Sequence, residues 1–355
     1  MTLPDLSDAL VRWAPRMRAN GVDPGDLDRA RSRARNSWER WYEVMADLGD
    51  GYAALAWAAQ AAGRALSAGE HWVRAGLTYH FAQFALGDFP ELQASGQRKK
   101  VAAFAAAAPL CRPPLERLEV RYGKERLPVL LRRPPGPGPH PWVLLVAGLD
   151  SAKEEGFTLG QLCLARGLAV AACDGPGQGE VAAAGRPWRP GDEAAVDWVR
   201  EALSEVPGLD PGRCGLLGVS FGGYLATAAA CMAGEAVRAC AAVGGCFSLG
   251  GPEWQRLPPR IQADWAHFTG AGSPAEAAAL AKQVSLAERL AHLSCPLLLF
   301  HGDQDGVFPD DHARRCAGFA GERAELHLLP GGGPACDNLP HQFRPYTADW
   351  FAERL

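Results

Sequence analysis

"RCGLLGVSFGGYLATAAACMAG", Arg213 to Gly234, sets a short apolar run, a glycine-flanked serine and an alanine-rich segment in immediate succession. The run reads as a buried strand and the alanine-rich segment as a helix. Between them, Gly218 to Gly222 follow the pattern G-x-S-x-G. A serine on so tight a turn needs small residues two before it and two after it. Its Oγ then stands clear of the backbone, and the N–H of the next residue, Phe221, points into the site. In a chain with 41 glycines the pattern alone says little. Its place between a strand and a helix makes it a nucleophile elbow, with Ser220 as the candidate nucleophile.

Further short apolar runs alternate with helix-like segments on both sides. "WVLLVAG" from Trp142, "LAVAACDGPGQG", "RACAAVGGC", "CPLLLFHGDQD" and "AELHLLPGGG" read as strands. That rhythm predicts a parallel sheet covered on both faces, with ligand chemistry at the carboxyl ends of the strands. After the first of these strands, "LLVAGLDSAKEE" offers the N–H of Leu149 as a second oxyanion donor. "CDGPGQGE" lacks the spacing of a phosphate loop, so it reads as a turn shaping the mouth of the site, with Asp174 bonding backbone N–H groups.

"LLLFHGDQDGVFP" places Asp303 and Asp305 just past a strand, and one of them is the expected acid that orients a histidine. His301 reads as structural. Serine, then acid, then histidine is the hydrolase order, so the histidine belongs in the loop after the next strand. "LLPGGGPACDNLPH" has none where that strand ends: His327 lies inside the strand, and His341 comes only at the start of the last helix. Glu253 and Trp254, after the strand that follows the elbow, are candidates for the cavity, with a surface glutamate as the alternative. Residues 248–291 are expected to form a helical insertion.

Residues 1–110 have a different rhythm. Apolar residues recur at three and four in "SWERWYEVMADL" and "HWVRAGLTYHFAQFAL", which predicts helices, punctuated at Gly21, Gly49 to Gly51, Gly69 and Gly87 to Pro90. Most of the aromatics here are expected to pack between helices. "RLEVRY" and "RLPVLLRR" suggest a hairpin around Gly123 and Lys124. A net charge of −4 gives no reason to bind nucleic acid or an anionic membrane. The ten cysteines contain no CxxC pair, so they read as free buried thiols in a cytoplasmic protein rather than zinc ligands. The N-terminus "MTLPDLSDALVRW" does not read as a secretory signal.

Together "GLDSAKEE", "ACDGPGQGE", "GVSFGGYLA", "SCPLLLFHGDQDGVFP" and the closing "ADWF" resemble the α/β-hydrolase superfamily. The branch they resemble is that of 2,6-dihydroxypseudooxynicotine hydrolase, the FrsA-like proteins and fungal polyketide-shortening enzymes. The resemblance implies an α/β-hydrolase fold for residues 111–355, an all-helical N-terminal cap for residues 1–110, and often a homodimer. It implies cleavage of a carbon–carbon bond next to a ketone, with no cofactor and no metal. Position by position it makes Ser220 the nucleophile, Asp305 the acid, and Leu149 and Phe221 the oxyanion donors. An acidic residue near Glu253 also belongs to the pattern. Relatives carry "GDH" where this chain, in the same register, has Gly332, Gly333 and Pro334.

A proline cannot take a proton from a serine, and three readings follow. The site is repurposed for non-hydrolytic carbon–carbon bond formation on an aromatic or polyketide-derived ketone in secondary metabolism, with Asp305 as proton acceptor or donor. Or it hydrolyses a carbon–carbon bond or an ester through Ser220, Asp305 and a displaced His341. Or it only binds its small-molecule ligand.

Overall fold

The computed structural model describes residues 5–355. Residues 1–4, part of the stretch read for a signal, lie outside it. The chain divides into two compact units: residues 1–117 with Glu154–Thr158, and residues 118–153 with Leu159–Leu355.

The first unit is built from α1 (Leu6–Ala19), α2 (Pro24–Ala34), α3 (Trp38–Ala61), α4 (Ala65–Gln83) and α5 (Pro90–Ala107). Asp23 caps α2 by accepting from the Gly25 N–H, and Ser37 caps α3 by accepting from Arg40. Trp38, Trp41, Tyr42, Trp72, Tyr79, Phe81 and Phe84 are buried, whereas Trp57 is 62% exposed. The expected break at Gly49 to Gly51 does not occur, and α3 runs straight through it. A Cβ on Gly49 would lie 2.4 Å from the Tyr79 ring, so glycine is there to let α4 approach. Within this unit the buried carboxylate of Glu155 accepts from Arg16 at 2.6 and 2.8 Å and from Asn20 at 2.9 Å, and lies 3.1 Å from His80 Nε2. Burial pushes its pKa up, but Arg16 and His80 outweigh that and hold it well below the usual carboxylate range.

The second unit carries an eight-stranded sheet, apart from the first three residues of β1, which fall in the first unit: β1 (Leu115–Tyr122), β2 (Glu125–Arg132), β3 (His140–Val146), β4 (Ala169–Cys173), β5 (Leu209–Val219), β6 (Ala239–Val243), β7 (Leu297–Gly302) and β8 (Ala324–Leu329). The order is β1-β2-β4-β3-β5-β6-β7-β8, with β2 antiparallel to β4 and every pairing from β4 to β8 parallel. The helices are α6 (Phe157–Leu164), whose first two residues fall in the other unit, α7 (Gly179–Ala183), α8 (Ala194–Ser204), α9 (Phe221–Ala233), α10 (Pro252–Arg256), α11 (Pro259–Thr269), α12 (Pro274–Ala281), α13 (Asp311–Ala320) and α14 (Pro340–Ala352).

Side chains alternate along the strands as a two-sided sheet requires. Trp142, Leu144 and Val146 of β3 pack into one apolar layer with α8 and α9, while Val143 and Leu145 pack into another with α6 and α14. The β1–β2 turn falls at Gly123 and Lys124, with Gly123 at φ 59°. The insertion expected over residues 248–291 holds α10, α11 and α12. Ser273 caps α12 and Glu276 reaches back to Gly272, a reciprocal cap.

Register decides which loops share a site. Val146 pairs with Gly218, Val219 with Val243, Val243 with Phe300, and Gly302 with Leu329. The residues that follow β3, β5, β6, β7 and β8 therefore emerge side by side at one edge of the sheet.

Candidate active site

Ser220 sits between β5 and α9 at φ 57°, ψ −130°, a conformation that non-glycine residues rarely adopt. Its N–H donates to Val243 O at 2.8 Å and its carbonyl accepts from Gly223 at 2.8 Å. The flanking glycines are obligatory. A Cβ on Gly218 would lie 2.0 Å from Gly222 O, and one on Gly222 would lie 2.2 Å from Val146 O. Ser220 is half-buried, and its Oγ makes no hydrogen bond among the described residues. The N–H of Phe221, at the first position of α9, has no intrahelical partner. Its ring is fixed by Trp188, Trp265 and Phe268 at 5.4–5.7 Å and stacks on Tyr224 at 5.2 Å. This aromatic cluster draws on α11 and on the loop before α8, which sequence reading left unassigned.

The loop after β3 runs against the elbow, with the position of a Gly148 Cβ 3.4 Å from Ser220 Cβ. Leu149, next in the chain, makes no hydrogen bond through its N–H among the described residues. Three buried residues hold this loop. Asp174 accepts from the Lys153 N–H at 2.7 Å and from the Glu180 N–H at 3.0 Å, the backbone role expected of it. Lys153 Nζ bridges Asp174 at 2.7 Å and Glu180 at 2.6 Å. Gln178 donates to the carbonyls of Ala147 and Gly148. Neither Lys153 nor Gln178 stood out in the sequence, because nothing local marks a residue whose partners lie more than twenty positions away.

Of the two candidate acids, Asp303 is exposed and accepts from the Gly331 N–H at 2.8 Å. Asp305 is buried. Its Oδ1 accepts from Val307 at 2.8 Å and Phe308 at 3.0 Å, and its Oδ2 accepts from the Ala335 N–H at 3.4 Å. His301 Nε2 lies 3.8 Å from Oδ2 but donates at 2.6 Å to Phe308 O, which makes it a strut beneath the acid. Burial raises the pKa of Asp305, opposed by His301 and the three N–H groups.

The loop after β8 lies flat on the end of β7. A Cβ on Gly332 would be 2.7 Å from Gly302 Cα, and Gln304 donates to Gly332 O at 2.9 Å. Asn338 closes the loop onto Gly331 and Gly333. Pro334, expected at the place of a base, is exposed, and it is the next residue that meets the acid. Ala335 has φ 53° and packs its backbone where Gly244 leaves room, 2.7 Å from that residue's absent Cβ.

His341 and Glu253 are not brought to this cluster. His341 is exposed on the first turn of α14 and makes no hydrogen bond or ion pair among the described residues. Before it in the chain, Gly332 presses the loop onto β7. Glu253 accepts from Arg315 at 2.7 Å and from Ser248 Oγ at 3.3 Å. Burial pushes its pKa up, and Arg315 overcomes this and holds it below the usual value.

The sequence model of the family described as "Esterase FrsA-like" matches residues 30–249. The 2,6-dihydropseudooxynicotine hydrolase of Paenarthrobacter nicotinovorans is 34% identical over 355 residues, 98% of this chain and 93% of that protein. The crystal structure of 2,6-dihydroxy-pseudo-oxynicotine hydrolase superposes with a TM-score of 0.89 at 32% identity, over 96% of this chain and 95% of that one. The 20-hydroxy-prefusarin hydrolase of Gibberella moniliformis is 31% identical over 242 residues, 64% of this chain and 57% of that protein.

Proposed function

The chain belongs to the FrsA-like esterase family of α/β-hydrolase-fold enzymes, and from that premise we propose that it acts at a carbon–carbon bond of an aromatic or polyketide-derived ketone, forming the bond rather than hydrolysing it. One observation carries the proposal: the free oxygen of the buried acid is met by the Ala335 N–H, where serine hydrolysis requires a histidine. In this reading Asp305 takes a proton from the carbon beside the ketone. The N–H groups of Leu149 and Phe221, with the Ser220 hydroxyl as a further donor, hold the resulting enolate oxygen. The enolate carbon attacks an electrophilic carbonyl carbon, and the Asp305 proton passes to the new alkoxide. Its raised pKa suits a carboxyl that must both accept and return a proton. No metal, cofactor or nucleic acid enters this reading.

Hydrolysis of a carbon–carbon or ester bond by Ser220, Asp305 and His341 is the second reading, favoured by the two relatives named as hydrolases. A fluorophosphonate probe and an activated aryl ester separate the two. The first predicts no stoichiometric labelling of Ser220 and no ester turnover, together with condensation of aryl ketones that Asp305→Ala abolishes. Stoichiometric labelling with turnover overturns it.

Two further statements belong to the same reading. The protein is a homodimer through its helical unit, where the uncharged stretch from Gly51 to Gly63 leaves Leu55 51% and Trp57 62% exposed. Light scattering before and after Trp57→Glu tests this, with a monomeric variant expected. Residence in the cytoplasm is supported by ten free, buried thiols. Among the described residues no helix is long and apolar enough to cross a membrane.

A further inference from the structure

The oxyanion donor after β3 depends on a peptide that the backbone alone does not fix. Gly148 suits this place, since a Cβ there would be crowded, 3.1 Å from Val219 O and 3.4 Å from Ser220 Cβ. A glycine at the head of a loop leaves the following peptide free to rotate. That peptide contains the Gly148 carbonyl and the Leu149 N–H. A trans peptide is planar, so its C=O and N–H point in opposite directions. Whatever holds the Gly148 oxygen therefore aims the Leu149 hydrogen.

Gln178 holds it. Its Nε2 donates to Ala147 O at 2.6 Å and to Gly148 O at 3.1 Å. Its Oε1 accepts from the Gly175 N–H at 2.9 Å, just past β4. The amide cannot be reversed, because two carbonyls need donors on one side and an N–H needs an acceptor on the other. The side chain is 2% exposed, so water does not compete for these bonds. Asp174 in turn anchors the loop that carries Gln178 through the Glu180 N–H.

We propose that Gln178 is the positioning residue of the oxyanion site, clamping the Ala147 and Gly148 carbonyls so that the Leu149 N–H is preset toward the atom that Ser220 and Phe221 also address. The inference rests on the oxyanion role given to Leu149 above, but its structural half stands apart from that role. It assigns a function to the glutamine of "CDGPGQGE", a stretch in which the sequence had singled out only Asp174. A preset donor acts mainly on the transition state, because it meets charge only as charge develops.

The test pairs a crystal structure with steady-state kinetics on the native ketone reaction for Gln178→Met, which keeps the size and removes all three hydrogen bonds. The expected structure shows the Gly148–Leu149 peptide rotated with the elbow unchanged. The expected kinetics show kcat lowered about 100-fold with KM nearly constant, the pattern of a lost oxyanion donor. An unrotated peptide overturns the proposal whatever the activity. A rotated peptide with unchanged kcat supports the clamp and overturns the oxyanion role of Leu149. A rise in KM with kcat intact overturns the transition-state role. Should Gln178→Met fail to fold, Gln178→Glu retains the acceptor for Gly175, removes both donors, and is read by the same two measurements.

Discussion

The turn that ends β5 and the loop that leaves β8 both lie at the carboxyl edge of the sheet, with β6 and β7 between their strands, and they are built in opposite ways. The first holds a side chain out: Ser220 is strained, its flanking glycines are obligatory, and its hydroxyl has no hydrogen-bond partner among the described residues. The second holds side chains in: Gly332 is pressed onto Gly302, and only a backbone N–H, that of Ala335, reaches Asp305. The difference teaches where the proposed function draws its support: the turn after β5 leaves a hydroxyl and a helix-start N–H available, while the loop after β8 meets the acid with main chain. On that proposal Asp305, with His301 turned to Phe308 O, is the proton-transfer group.

The comparison breaks most visibly at Asp305. If the acid is the sole proton carrier, Asp305→Ala lowers the rate on the native substrate by about 10²–10⁴-fold, measured as kcat/KM. An unchanged rate would place the chemistry elsewhere. On the elbow side, Gly222→Ala forces a Cβ to 2.2 Å from Val146 O. The expected cost is about 3 kcal/mol, read as a lower denaturation midpoint, with activity lost along with the elbow.

A smaller effect sharpens the electrostatic half. The carboxyl of Asp305 is raised by burial, so the native state keeps its proton to a higher pH than the unfolded chain does. Ionisation then costs stability progressively as pH rises from the ordinary value of 3.8 through the folded value. Asp305→Asn removes that cost. The Tm of the variant relative to the unsubstituted protein should therefore climb between pH 3.5 and pH 7, by on the order of 2 °C. A gap that narrows with rising pH would contradict the burial argument. The smallest effect is expected at His341, which is exposed and unbonded. His341→Ala should alter stability by less than about 0.5 kcal/mol and leave turnover intact, whereas loss of turnover would restore the hydrolytic triad.

Much of this was legible before any coordinates. The elbow is a local pattern, and local sterics at Gly218 and Gly222 dictate it. The alternation of apolar runs and helices specified a parallel sheet, and the sheet specified which loops meet. Another local signal misled: the glycines at 49 to 51 read as a helix break, and Gly49 proved to be a contact surface for Tyr79. Nor did any local signal foretell the pairing of Glu253 with Arg315.

By itself, then, the amino-acid order settled the elbow serine, a pair of aspartates after β7, and a loop after β8 with no histidine before position 341, because each is a matter of residue type at a strand end. Only the tertiary structure decided which backbone group of that loop meets the acid, which of two aspartates is buried, and that a glutamine from the loop after β4 donates to two carbonyls of the loop after β3. Those facts arise from contacts between segments far apart in the chain, and such contacts exist only once the register of the sheet has brought its loops together.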